Sequence, residues 1–157
     1  MLYTHTCGQL KSSDIGKEVT LYGWVGARRD HGKLIFIDLR DRYGFTQVVF
    51  IPKEAPIAYE GAVNLRSEFV VKIKGKVNLR PKGTINPKIP TGEIEILAQE
   101  LEVINPSAAL PFEIDNKIQV SEELRLRYRY LDLSIPDRLD KIITLHKLYQ
   151  VIRNNLN

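Results

Sequence analysis

An aromatic residue stands among charged residues on what should be the solvent side of a strand. In "LIFIDLR" (34–40) the aliphatic residues at 35, 37 and 39 share one face, and Phe36 lies on the other. An exposed ring on a strand offers a stacking platform for an unpaired nucleic-acid base, worth about 1–3 kcal/mol per base. The alternative is that Phe36 closes the open end of a barrel.

Four polar residues near this strand have side chains that suit nucleic-acid recognition. Arg28 and Arg29 can pair with phosphates, or bidentately with a guanine edge. Gln47 has both a donor and an acceptor, as reading a base edge requires. Glu95 alternates with isoleucines in "IEI" (94–96), and a carboxylate can accept hydrogen bonds from base amino groups.

Simpler roles are open for each of these residues. The arginines can be ion-paired with Asp30 and Asp41, and Gln47 and Glu95 can be ordinary solvent-facing strand residues. His31 is more typical of a turn residue than of a catalyst. The interpretation as a site therefore depends on whether the fold brings the residues to one surface.

Other chemistries find little support in the sequence. The three histidines are far apart and Cys7 is the single cysteine, so we expect no metal site and no internal disulfide. No GxxxxGK[ST] phosphate loop is present, and we expect no cofactor for this chain. We expect neither a signal peptide nor a membrane span, and a cytoplasmic location.

The chain is moderately basic. Lys and Arg number 23 against 19 Asp and Glu, which gives +4. Within 70–88 the charged residues are all basic: Lys72, Lys74, Lys76, Arg80, Lys82 and Lys88. Such a strip can attract a polyanion, or it can simply be the solvated edge of a strand.

Residues 1–104 show the patterns of strands. Alternating apolar residues and turn signals predict five strands, with a short helix within 52–66 between the third and fourth. The predicted strands are Glu18–Arg28, Lys33–Asp41, Phe45–Ile51, Phe69–Val77 and Glu93–Ile104. In the fifth, the apolar phase slips between Ile96 and Leu101, which predicts a bulge.

This element order is typical of the OB-fold, a five-stranded Greek-key barrel. Such barrels bind oligonucleotides on the face of strands 2 and 3, flanked by the loops that join strands 1–2 and 4–5. Here those loops are "RRDHG" and the segment 78–92, and both are basic. The predicted fold class is therefore mainly β, and the expected nucleic-acid-binding face contains Phe36.

The remaining third of the chain changes character. Residues 105–120 contain two prolines and no clear period, which indicates a hinge or linker. Ser121 is a good helix N-cap, and Pro136 suits the first turn of a second helix. Two apolar-faced helices cannot form a full core alone, so we expect 121–157 to begin a second, incomplete domain.

Several stretches resemble the N-terminal region of bacterial-type aspartyl-tRNA synthetases. These are "THTCGQL", "VTLYGWVGARRDHGKLIFIDLRDRYGFTQVVF", "GEIEILAQELEVIN", "LPFEI" and "EELRLRYRYLDL", which together run over nearly the whole chain. The resemblance implies an anticodon-binding barrel, a hinge and the first helices of a class II catalytic domain. The sequence departs from the family's pattern at Ser134 and Ile135, where two arginines are usual.

The resemblance also implies roles for individual residues. The residue matching Phe36 stacks on the middle anticodon base, a uracil, and the residue matching Gln47 hydrogen-bonds that base. The residues matching Arg29 and Glu95 read flanking positions, and the residue matching Arg80 lies near the anticodon stem. "RRDHG" with "RPKG" resembles members that accept both aspartate and asparagine tRNAs. We hypothesise that His31 and Gly83, beside Lys82, relax discrimination at the third base.

For the chain itself, the resemblance implies binding to a tRNA anticodon loop without catalysis, because the class II motifs that bind ATP lie outside it. The parent enzyme would attach aspartate to tRNA with ATP and Mg²⁺, as a homodimer. The alternatives are a non-specific single-strand binder or a protein-interaction OB module. Glu95 argues against non-specific binding, since a carboxylate repels phosphates.

Overall fold

A computed structural model describes residues 3–115 and 119–156. The chain divides into two compact units, which meet in sequence between Ala109 and Leu110.

The first unit is a closed five-stranded barrel with one helix between its third and fourth strands, which confirms the predicted OB-fold. The strands adjoin in the order β1-β2-β3-β5-β4, antiparallel except for the β3–β5 pair. The elements are β1 Glu18–His31, β2 Leu34–Asp41, β3 Gly44–Phe50, α1 Pro56–Val63, β4 Val70–Leu79 and β5 Ile94–Asn105.

The alternation of apolar residues builds the barrel core. Side chains at alternate positions are buried along much of each strand, as Ile35, Ile37 and Leu39 show in β2. The short helix α1 adds Ala58 and Ala62 to the same cluster. Outward side chains are left for solvent or for a ligand, and Phe36 is one of them.

The predicted irregularity in the fifth strand is present. Lys74 pairs with Glu100 and Gly75 with Ala98, so Gln99 has no partner in β4. This bulge allows the barrel to bend, because the extra residue increases the local twist of its strand. Gly75 sits where the strands approach closely, and a Cβ there would lie 2.4 Å from the carbonyl oxygen of Leu97.

The first strand is longer than predicted. It continues past Arg28 to His31, and a tight turn with Gly32 at φ 61° leads into β2. The segment "RRDHG" is therefore mostly paired strand. A register shift between Val25 and Arg28 lets β1 bend, and beyond it Arg29 pairs with Phe36.

The second unit is helical, with elements α2 Glu122–Arg127, α3 Arg129–Asp132 and α4 Pro136–Leu156. Ser121 caps α2 by accepting from the backbone N–H of Leu124, and Pro136 opens α4, as predicted. The first of the two predicted helices is broken at Tyr128, whose φ of −112° and ψ of 50° are not helical. Ile135, one of the two departures from the family pattern, is buried in a small cluster with Phe112 and Leu131.

Candidate nucleic-acid interface

The barrel brings most of the predicted site residues onto neighbouring strands. Arg29 lies on β1, Phe36 on β2, Gln47 on β3 and Glu95 on β5, while Arg80 directly follows β4. Because the strands are adjacent in the order β1-β2-β3-β5-β4, these residues follow one another across the barrel, with Arg80 buried at the end of the row. We call Arg29, Asp38, Gln47, Glu95 and Arg80 the polar belt.

Phe36 is partly exposed and lies outside the core cluster of the barrel. Its strand neighbours are Arg29 on β1 and Val49 on β3, and Val49 is 3% exposed. The His31 ring meets the Phe36 ring edge-on, with centroids 5.8 Å apart and planes at 76°. The ring is thus supported from its sides, which suits a stacking platform.

Gln47 and Glu95 bind each other across the β3–β5 junction. The Gln47 Nε2 donates to Glu95 Oε2 at 2.9 Å. This bond fixes the amide so that its carbonyl oxygen remains available as an acceptor. Burial raises the pKa of Glu95, against the opposing effects of the Gln47 hydrogen bond and the Arg80 charge.

Arg80 is an internal part of the site. It is 6% exposed, and its Nε donates to the backbone oxygen of Ile94 at 2.8 Å. Burial lowers its pKa, while the charges of Glu95 and Asp38 act in the opposite direction. This placement suits a cation that supports Glu95 better than one that reaches out to a phosphate.

Arg29 is held by an aspartate that was not among the expected partners. Its Nη1 and Nη2 donate to the two carboxylate oxygens of Asp38 at 2.8 and 2.6 Å. This hydrogen bonding raises the pKa of Arg29. The alternative partner, Asp41, instead accepts from the backbone N–H groups of Cys7 and Tyr43. Asp38 had a sequence signal, since it shares the outer face of β2 with Phe36.

Arg28 belongs to a different neighbourhood. Its Nε donates to the backbone oxygen of Ala62 at 3.2 Å, and Nη2 lies 2.9 Å from an Asp30 carboxylate oxygen. The ion pair with Asp30 is the one proposed from the sequence. Arg28 therefore contacts the end of α1, whereas Arg29 faces β2.

The loop between β4 and β5 is folded on itself. Asn86 donates its backbone N–H to Gly92, and Gly92 donates to Ile89. Thr91 is buried and its hydroxyl donates to the backbone oxygen of Phe45 at 2.7 Å, which ties the loop to β3. Lys82 and Gly83 are exposed, and Gly83 has a φ of 91°.

The basic strip is less available than its sequence indicates. Lys72 lies 3.0 Å from Glu102, and Lys74 lies 3.1 Å from Glu100, both on β5. Exposed pairs of this kind stabilise little, but they reduce the field that a polyanion would meet. The β4 lysines thus have partners on the neighbouring strand, whereas Lys82 is presented by the loop.

Residues 3–115 and 119–156 bring together no group of three or more His, Cys, Asp or Glu that could hold a metal ion. Nor do they include a helix with both the length and the apolar character needed to cross a bilayer. Cys7 is fully buried, and burial raises the pKa of its thiol.

Curated proteins similar to this chain are aspartate–tRNA(Asp/Asn) ligases. The curated aspartate–tRNA(Asp/Asn) ligase of Protochlamydia amoebophila (strain UWE25) is 52% identical over 155 residues, covering 98% of this chain and 26% of that protein. The corresponding ligase of Moorella thermoacetica (strain ATCC 39073 / JCM 9320) is also 52% identical, over 154 residues, with the same shares covered. The chain thus spans about a quarter of the length of these curated relatives.

A solved structure and a family model agree with the sequence relatives. Asparaginyl-tRNA synthetase from Pyrococcus horikoshii, complexed with asparaginyl-adenylate, matches with a TM-score of 0.83 and 30% identity, over 99% of this chain and 34% of that one. The model of the OB-fold nucleic acid binding domain of the tRNA anticodon type matches residues 19–104. The chain therefore belongs to the tRNA anticodon family of OB-fold nucleic acid binding domains.

Proposed function

We propose that this chain reads the anticodon loop of tRNA within a protein that attaches aspartate to tRNA, using ATP and Mg²⁺. The names of the curated relatives, aspartate–tRNA(Asp/Asn) ligases matched over 98% of this chain, support the parent activity. The anticodon-type barrel over 19–104 supports the role of the chain itself. Unstacked loop bases are what proteins read in RNA, because the A-form major groove is too narrow for side chains.

The observation that carries this proposal is the position of Phe36. The ring lies on the outer face of β2, between Arg29 and Val49, within one surface that also holds Gln47 and Glu95. In our proposal the middle anticodon base, a uracil, stacks on this ring. The Gln47 carbonyl oxygen then accepts the uracil imino N–H, and Arg29 and Glu95 read the flanking bases.

The phosphate contacts are assigned to β1 and to the loop that joins β4 and β5. Arg28 and Lys82 contact backbone phosphates, and Arg80 supports Glu95 from within. We also propose that aspartate and asparagine tRNAs are both accepted, which the relatives' names favour. His31 and Gly83, beside Lys82, are the residues that we propose to relax discrimination at the third base.

The rest of the assignment concerns the parent protein. We propose that 1–104 is the anticodon-binding domain, that 105–120 is a hinge, and that 121–157 belongs to the ligase domain. We also propose that the parent acts as a cytoplasmic homodimer.

Binding of RNA stem-loops tests the recognition directly. The GUC loop of aspartate tRNA should bind at least about tenfold more tightly than a loop whose middle uracil is replaced by adenine. A loop with uracil at the third position, as in asparagine tRNA, should bind within about tenfold of GUC. A non-specific single-strand binder would instead show equal affinity for all three loops, with steep salt dependence.

A further inference from the structure

We propose that Asp38 is a positioning residue that determines base specificity by holding Arg29 as an oriented hydrogen-bond donor. This inference rests on the proposed function, because it assigns a part in the same site to a residue that would not itself touch the RNA. Without such a partner, an exposed arginine on a nucleic-acid-binding face would be a mobile phosphate contact.

The first observation is the geometry of the pair. Both carboxylate oxygens of Asp38 accept from Arg29, one from Nη1 and one from Nη2, so the two planar groups meet end to end. This arrangement leaves the side edge of the guanidinium, formed by Nε–H and one Nη–H, directed away from Asp38. No other acceptor among residues 3–115 and 119–156 contacts that edge.

The second observation is where the pair lies. Arg29 is opposite Phe36 in the β1–β2 register, and Asp38 is opposite Gln47 in the β2–β3 register. The fixed arginine is therefore adjacent to the stacking ring, where a base flanking the stacked one would pass. The free edge presents two parallel donors, which match the O6 and N7 acceptors of guanine. Adenine has a donor amino group in place of O6 and would be rejected.

The third observation is the charge balance of the polar belt. Its charged members are two cations, Arg29 and Arg80, and two anions, Asp38 and Glu95. The other three each affect the pKa of Arg80, and Arg29 is paired directly with Asp38. Because these charges balance, the belt adds little general attraction for phosphates, and its contribution to binding depends on the direction of its hydrogen bonds.

The test compares two variants, each of which removes one negative charge from the aspartate that pairs with an arginine. The two arginines are neighbours in sequence. Asp38→Asn breaks the two-point contact with Arg29, whereas Asp30→Asn removes the partner of Arg28 and leaves Arg29 untouched. Affinities are measured for stem-loops with guanine or adenine at the first anticodon position, across a series of salt concentrations. Both variants should bind RNA with a steeper salt dependence than wild type, because each gains one unit of positive charge.

Only base discrimination should separate the two variants. In Asp38→Asn we expect the guanine preference to fall by about tenfold, the order expected for one bidentate contact, while Asp30→Asn keeps it. Arg29→Lys, which keeps the charge without the fork, should lose the same preference. Adding Asp38→Asn to Arg29→Lys should then cause no further loss of the guanine preference.

Other outcomes separate this inference from the proposed function. If wild type prefers the guanine loop and Asp38→Asn keeps that preference, the role of Asp38 is wrong and anticodon reading stands. If Asp38→Asn weakens both loops equally, Arg29 holds a phosphate and the inference is also overturned. If wild type does not distinguish GUC from a loop with a changed middle base, the proposed function itself is wrong.

Discussion

At the scale of single residues, the site is built from side chains that constrain one another before any ligand arrives. Gln47 is bound to Glu95, and Arg29 is bound to Asp38. Each contact uses some of the hydrogen-bond donors or acceptors of a side chain. It also fixes the direction in which the remaining donors and acceptors point. Such preorganisation would reduce the ordering cost of the proposed base binding, since fewer rotamers would be lost.

Partial burial of Glu95 has a consequence for stability. Burial disfavours its ionised form, so its pKa in the folded protein is raised above the unfolded value of about 4.3. The folded state then binds the proton more tightly, and stability is lost as pH rises from the unfolded pKa through the folded one. A carboxylate at this position therefore opposes stability at neutral pH.

The variant Glu95→Gln isolates this effect. Urea unfolding of wild type and variant between about pH 4 and pH 7 gives their difference in unfolding free energy at each pH. We expect wild type to lose stability relative to the variant as the pH rises across that window. A difference that is constant, or that moves in favour of wild type, would contradict the raised pKa.

At the scale of elements, the strand pattern was readable from the sequence because burial imposes a period of two. The five strands, the intervening helix and the bulge in β5 all followed from apolar phase and turn residues. The end of β1 did not follow, since arginines and Asp30 give no apolar signal. The Arg29–Asp38 pair was also missed. It depends on the β1–β2 register beyond the shift between Val25 and Arg28, which the apolar pattern does not reveal.

The β5 bulge gives a test of how the barrel closes. In Gly75→Ala, the added Cβ would lie 2.4 Å from a backbone oxygen of Leu97 and 2.8 Å from Ile96 Cγ2. Backbone cannot move aside cheaply, so we expect a loss of about 1–3 kcal/mol in unfolding free energy by urea titration. The exposed neighbour Lys76 serves as control, and Lys76→Ala should change stability by less than about 0.5 kcal/mol. Equal effects of the two substitutions would contradict the close approach.

At the scale of the whole molecule, recognition is assigned to the first unit alone. All of the proposed contacts lie within residues 28–95, and the barrel cluster between Cys7 and Ala98 supports them. In the second unit the long helix α4 buries none of its residues, and the buried residues include a small cluster around Phe112 and Ile135. The sequence predicted this contrast, since two amphipathic helices cannot enclose a core.

A shortened chain tests this assignment. Residues 1–109 should bind the GUC stem-loop within roughly threefold of the full chain, because no proposed contact has been removed. Circular dichroism and thermal unfolding would show that the shortened barrel is folded. A folded barrel that binds more than about tenfold more weakly would place part of the RNA-binding surface in residues 110–157.

Stacking on Phe36 is the central claim, and titration of the GUC stem-loop against Phe36→Ala tests it most directly. The matched control is Tyr43→Ala, which removes a 63% exposed aromatic ring from the turn at the other end of β2. We predict that Phe36→Ala weakens binding by about 1–3 kcal/mol and that Tyr43→Ala leaves it nearly unchanged. Equal affinities for wild type and Phe36→Ala would contradict the account.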